Sequence, residues 1–165
     1  MEPVTQDFVE QTADFMMHLT KKQLDERVED LKKRQFNISS IIEHEEGKRK
    51  DPNKKDFIWK MAFTLVHCFE SYKIKLPMIS INTVKEVRID SVNAQSKIDK
   101  ELSDEEQYQK FVDAIKQPYY YAFVTNFVST DKEFQTLFNE DESQSLCFML
   151  VILGQIYSKT LERYS

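Results

Sequence analysis

Glycine and proline are scarce in this sequence. Its 165 residues include 2 glycines and 4 prolines, where average usage would give roughly 11 and 8. Tight hairpins need glycine at positive φ, and the phosphate-binding Walker A and GxGxxG sequences need several glycines close together. Gly47 and Gly154 are too far apart to build these motifs or the GxSxG turn of hydrolases. We therefore predict an all-α protein.

Cysteine and long apolar runs are also scarce. Cys68 and Cys147 each lie in an apolar run without CxxC spacing, so we expect them in the core and not in a disulfide framework or a zinc site. The longest strongly apolar stretch, Leu146 to Leu153, has eight residues, whereas a membrane span needs about 20. The chain begins Met-Glu-Pro, without the pattern of a secretory signal. These absences predict a cytoplasmic protein that does not associate with membranes.

Positive charge does not dominate any large part of the chain. The formal net charge is -5, and the acidic groups concentrate in residues 1–46 and 101–165 while the basic groups concentrate in 47–60. Nucleic-acid affinity depends on neutralising several phosphates at once, and an acidic protein repels a polyanion. We therefore expect no nucleic acid among the partners. We interpret the basic stretch as a charged loop between helices at residues 47–55.

Capping residues and apolar spacing predict the first helices. Thr5 is placed to cap one helix, and Thr20 with Gln23 forms a capping box for the next. Residues 21–45 are predicted as one helix. Six residues of this segment step by four and three along one face, and we call them the heptad seam: Leu24, Val28, Leu31, Gln35, Ile38 and Ile42.

The heptad seam has two possible partners. It packs within the chain, or it pairs with a second copy of the chain, in which case the polar Gln35 would fix the register. Coiled coils are secure predictions only over three or four heptads, and this seam is shorter. We therefore favour the within-chain contact, and a monomer over a homodimer.

Two later segments are apolar on most faces, which is typical of buried helices. Asp56 is predicted to cap a helix over 57–75, and a second helix spans 141–163. Residues 78–102 are assigned to helix on weaker periodicity. We predict a single domain over the whole chain, 1–165, built as a bundle of about six to seven helices in which the helices near 57–75 and 141–163 are central and wrapped by the others.

Two further signals lie between these segments. Ser103 with Glu106 forms a capping box for a helix that begins there. Pro118 ends that helix and is suited to the first turn of the next one, where its missing N–H costs nothing.

The titratable residues do not form a recognisable reactive site. His18, His44 and His67 lie on separate predicted helices, and a helix over 21–45 would be about 36 Å long, which keeps His18 and His44 far apart. Paired carboxylates such as Glu45-Glu46 lie at predicted helix ends, where acids are solvated and favour the helix dipole. We therefore predict no catalytic residue, no cofactor and no metal.

The most informative feature is a run of three tyrosines, Tyr119, Tyr120 and Tyr121. Consecutive helical residues are about 100° apart, so three in a row cover more than one buried face. At least one of them is expected at the surface. Because tyrosine is frequent in binding hot spots, this run is our candidate partner-binding site.

Three interpretations of the function remain open, one of which is a structural homodimer joined through the heptad seam. The observations favour a non-enzymatic module that binds another protein, as a regulator, inhibitor or adaptor, through the tyrosines and the acidic surfaces. The alternative is a small-molecule sensor or enzyme with an apolar pocket between helices, lined by some of the 12 phenylalanines, 7 tyrosines and 6 methionines. An apolar cleft with converging polar groups would favour the alternative.

Overall fold

Helices are the regular elements of this fold. The computed structural model describes residues 2–96 (92–96 by their helical backbone), 103, 105–106, 109 and 116–165. Within these ranges the helices are α1 (Gln6–Met17), α2 (Lys21–Arg34), α3 (Phe36–Gly47), α4 (Pro52–Glu70), α5 (Ile81–Ser96), α6 (Pro118–Thr130), α7 (Lys132–Leu137) and α8 (Glu140–Tyr164). No strand occurs among the described residues, and the all-α prediction is confirmed.

The caps of the first two helices are those expected from the sequence. The Thr5 hydroxyl accepts a hydrogen bond from the Phe8 N–H at 3.2 Å. Thr20 and Gln23 form the full capping box, with each side chain accepting from the other residue's backbone N–H. These contacts satisfy N–H groups that have no partner inside the helix.

The prediction of one helix over 21–45 is wrong, because the chain breaks at Gln35. This residue leaves the helical region, with φ -140° and ψ 67°, and α2 and α3 pack against each other on either side of it. The Gln35 side chain donates to the Pro77 carbonyl oxygen at 2.9 Å and accepts from the Ile79 N–H at 2.8 Å. The break therefore places a buried amide between two segments that are distant in sequence.

The loop predicted at 47–55 is shorter than expected. The Asp51 carboxylate accepts from the Asn53 N–H at 2.8 Å and caps α4, which begins at Pro52 and not after Asp56. Proline is well tolerated in the first helical turn, so it opens this helix and does not prolong the loop. The other end of the helix also differs, because α4 stops at Glu70 and not near residue 75.

The assignment of helix within 78–102 agrees with α5 over Ile81–Ser96, and the last six residues of that prediction lie outside the described residues. The capping box of Ser103 and Glu106 is present, with reciprocal bonds of 3.1 and 3.2 Å. Most of the helix predicted after it also lies outside the described residues. Pro118 occupies the first turn of α6 as predicted.

Helices α4 and α8 contribute many of the buried residues. More than half of the 19 residues of α4 are buried, including Cys68 in an apolar setting. Helix α4 packs against α1, α2, α3 and α8, while α8 also packs against α3 and α5. Helix α6 lies against α1 and α7. The start of α4 lies close to α6 and α7, where Phe57 packs against Phe127 and Phe134 beside a surface groove.

Candidate functional site

The three tyrosines at the start of α6 lie in different surroundings. Tyr119 is 45% exposed, whereas Tyr120 is 2% exposed and its hydroxyl donates to the Met61 carbonyl oxygen at 3.2 Å. Tyr121 is half-buried. The expectation that at least one tyrosine reaches the surface is confirmed. The three do not form one exposed patch, because Tyr120 belongs to the core.

Tyr119 continues into a line of aromatic side chains along α6. Phe123 and Phe127 follow it at intervals of four residues, and both are half-buried. Their ring centroids are 5.8 Å apart. Residues four apart share one side of a helix, and eight residues rise about 12 Å. We call Tyr119, Phe123 and Phe127 the aromatic row.

The aromatic row ends in an open groove of about 870 Å³. Its floor contains Phe57 of α4, Phe127 of α6 and Phe134 of α7, with ring centroids 5.3 to 5.8 Å apart. Offset and tilted aromatic packing at this spacing is favourable. We call this depression the aromatic groove; it is lined by Met17, Asn53, Asp56, Phe57, Lys60, Phe127, Asp131, Lys132, Glu133, Phe134, Thr136 and Leu137.

The rim of the aromatic groove carries charges of both signs. Asp56 forms an ion pair with Lys21 at 2.9 Å, and the Lys60 ammonium donates to the Met17 carbonyl oxygen at 3.2 Å. Lys132 and Glu133 form no ion pair with any described residue. A rim of mixed charge does not attract a polyanion, and it suits a polypeptide surface that carries both signs.

A second polar cluster surrounds Glu45, for which the sequence predicts a solvated position at a helix end. That prediction is wrong, because Glu45 is 3% exposed. Its carboxylate lies 3.0 Å from the Lys48 ammonium and 3.0 Å from the Arg49 guanidinium, and it accepts from the Ser145 hydroxyl at 2.9 Å. The neighbouring Glu46 accepts from the Trp59 indole N–H at 2.7 Å.

The basic residues after α3 form ion pairs with Glu45 and with a second carboxylate, that of Glu142. The Lys54 ammonium contacts both oxygens of Glu142 at 2.9 Å, and Arg49 Nε lies 3.6 Å from Glu142. The hydrogen bond from Lys54 lowers the pKa of the Glu142 carboxyl. Much of the basic stretch therefore pairs with acids of the same chain and is not a free positive patch.

The heptad seam lies against the core of its own chain. Val28 is half-buried and Gln35 is bonded as described above. The remaining four side chains are almost fully buried: Leu24, Leu31, Ile38 and Ile42. This burial corresponds to the within-chain contact, and the oligomeric state stays a prediction.

The cysteines and histidines do not assemble into a reactive site. Burial raises the pKa of the Cys68 thiol to about 12 and also raises that of Cys147, so both are protonated at neutral pH. His67 stacks on Phe8 at a ring distance of 5.7 Å. No cluster of His, Cys, Asp or Glu among the described residues is suited to hold a metal ion.

The described helices include none with the length and apolar character needed to cross a bilayer. Comparison with protein-family models, curated proteins and solved structures finds no match for this chain. The candidate sites are therefore defined by their own geometry, and the largest of them is the aromatic groove with its aromatic row. The sequence pointed to Tyr119 but missed the groove, because Phe57 and Phe127 meet only in the folded chain.

Proposed function

We propose that this chain is a non-enzymatic protein-binding module whose aromatic row and aromatic groove hold an amphipathic helix of a partner protein. The observation that carries the proposal is the continuity of exposed and half-buried aromatic rings from Tyr119 through Phe127 to the floor of the groove. Recognition of a helix in a groove uses apolar anchors at intervals of three and four residues. The aromatic row presents its rings at a matching interval.

The shape and chemistry of the groove favour a polypeptide ligand. The groove extends along α4, α6 and α7 and continues into the aromatic row, and this elongated apolar surface suits a polypeptide segment. Its aromatic floor and charged rim resemble the apolar centre and polar periphery of protein interfaces. Tyr119 adds a large side chain with few rotatable bonds, which loses little entropy on binding.

The test begins with a photo-crosslinking residue in place of Tyr119, in cells that naturally express the chain. We expect a discrete covalent adduct with one partner. The control is the same replacement at Tyr164, another tyrosine that is exposed to 57% and lies at the far end of α8. Absence of an adduct at position 119, or equal adducts at both positions, contradicts the proposal.

The partner identified in this way is then titrated in purified form. Tyr119→Ala should weaken binding about tenfold or more, as expected for a tyrosine that is a binding hot spot. Tyr164→Ala should leave the dissociation constant within about twofold. Equal affinities for the wild type and Tyr119→Ala would show that the aromatic row does not bind the partner.

A further inference from the structure

A second concave surface lies between α3, α5 and α8 and shares no residue with the aromatic groove. Its volume is about 310 Å³, at the lower end of the range of about 300 to 1,000 Å³ for small-molecule sites. The walls are apolar, with Ile41, Met149 and Ile152 nearly buried and Phe148 exposed to 43% at the edge. An apolar body of limited size therefore fits between these helices.

Two charged side chains of this pocket differ in their bonding: Glu45 has several partners, and Arg88 has none among the described residues. Glu45, which is buried, lines the pocket and is already bonded to Lys48, Arg49 and Ser145. Arg88 of α5, an exposed residue, also lines the pocket. Its guanidinium has no hydrogen bond or ion pair with any described residue.

The local balance of charge is positive although the whole chain is acidic. Three charged side chains line the pocket, Glu45, Lys48 and Arg88, so the lining carries an excess of one positive charge. The pocket is therefore a cationic site with apolar walls, on a chain whose net charge is -5.

We propose that this pocket binds a small monocarboxylate with an aromatic or branched apolar body. The planar guanidinium of Arg88 matches a carboxylate, which it can hold through two parallel hydrogen bonds. The apolar walls accept the body of the ligand and disfavour a free phosphate or another compact, strongly hydrated anion. The proposal is independent of the aromatic groove, because the two surfaces have no lining residue in common.

The probe is sodium 3-phenylpropionate, titrated into the isotope-labelled full chain and followed by NMR. We expect saturable shifts of the methyl signals of Ile41, Met149 and Ile152, with a dissociation constant below about 1 mM. The neutral isostere 3-phenylpropanamide should bind at least about tenfold more weakly, because it cannot form the charge-assisted bond to Arg88. Equal binding of acid and amide, or no shift at saturating probe, overturns the proposal.

Two substitutions in α5 test whether the carboxylate of the ligand binds at Arg88. Arg88→Gln should weaken the binding of 3-phenylpropionate at least about tenfold, since it removes the lining cation that has no partner among the described residues. Lys85→Gln is the matched control: Lys85 is exposed on the same helix, forms no ion pair with a described residue and does not line the pocket. It should bind the probe within about twofold of wild type. Equal losses in the two variants, or no loss in Arg88→Gln, would contradict the proposed site.

Discussion

Tyr120 and Tyr157 are both almost completely buried, at 2% and 1% exposure, yet their hydroxyl groups have different surroundings. The Tyr120 hydroxyl donates to the Met61 carbonyl oxygen. The Tyr157 hydroxyl has no hydrogen-bond partner among the described residues, although its ring stacks on Phe69 at 5.3 Å. Burial raises the pKa of both phenols, so both are neutral at pH 7.

The same substitution should therefore have different effects on stability at these two positions. Tyr120→Phe removes a buried hydrogen bond and should lower the free energy of unfolding by about 1 kcal/mol. Tyr157→Phe removes a hydroxyl that is desolvated without a partner, so stability should stay unchanged or rise by up to about 1 kcal/mol. Urea unfolding of both variants measures this difference. A larger loss at Tyr157 than at Tyr120 would contradict the hydrogen-bond assignment.

Glu142 provides a prediction for the dependence of stability on pH. Lys54 lowers the pKa of this carboxyl below its usual value of 4.5 in the folded state. A carboxyl with a lowered pKa contributes stability that is fully present above its unfolded pKa and is lost as the pH falls through the folded one. The contribution of Glu142 should therefore disappear as the pH is lowered from about 5 into the range below 4.5.

The variant Glu142→Gln isolates that charge. Glutamine can replace glutamate in a capping box, so the bond to the Asn139 N–H is retained while the pairing with Lys54 is lost. The melting temperatures of wild type and variant should differ at pH 7 and converge as the pH falls below about 4. A constant difference across that range would show that the ion pair is not responsible.

At the scale of helices, the caps were the most predictable features. Thr5 and the Thr20–Gln23 box were correct because a cap depends only on residues within one helical turn. The break at Gln35 was missed because the heptad spacing continues through it, and its cause is a contact with Ile79. No local pattern distinguishes a glutamine on a helix face from one that bonds a distant backbone.

The start of α4 gives a direct comparison between two candidate caps. Asp51→Ala should lower stability by about 1 kcal/mol, the usual effect of losing an N-cap side chain. Asp56→Ala removes only an ion pair with Lys21, a residue with 66% side-chain exposure, and should cost well under about 1 kcal/mol. Thermal and urea unfolding test this order. A larger loss for Asp56→Ala would favour the later helix start that the sequence predicted.

The candidate site was predictable only in part, because many of its contacts join residues that are distant in sequence. The 100° step between helical residues requires an exposed tyrosine in a run of three, and Tyr119 is that residue. The aromatic groove depends on Phe57 and Phe134 approaching α6 from other helices. The burial of Glu45 likewise depends on Ser145, which is 100 residues away in sequence.

At the scale of the whole molecule, a substitution in the heptad seam tests whether the seam packs within one chain or joins two copies. Val28 packs against the core from α2 and is half-buried. Val28→Glu should lower the free energy of unfolding by about 1 to 3 kcal/mol, and the loss should not change over about a hundredfold range of protein concentration. Lys33→Glu, at an exposed position of α2, is the control and should change stability by less than about 0.5 kcal/mol.

The two possible roles of the seam give different results in light scattering. If the seam joins two copies of the chain, the wild type is a dimer, and Val28→Glu releases a folded monomer. If the seam packs only within the chain, wild type and variant have the same mass while their melting temperatures differ. The burial of Leu24, Leu31, Ile38 and Ile42 leads us to expect the second result.

The bond between Gln35 and Ile79 has a consequence for the kinetics of local opening. The Ile79 N–H lies outside any helix and donates to a side chain 44 residues earlier, so its hydrogen exchange is controlled by the corner between α2 and α3. We expect this amide to exchange as slowly as those within α3, and to exchange quickly in Gln35→Ala. In the wild type, the corner at Gln35 and the segment around Ile79 would therefore open to solvent together, as one cooperative unit.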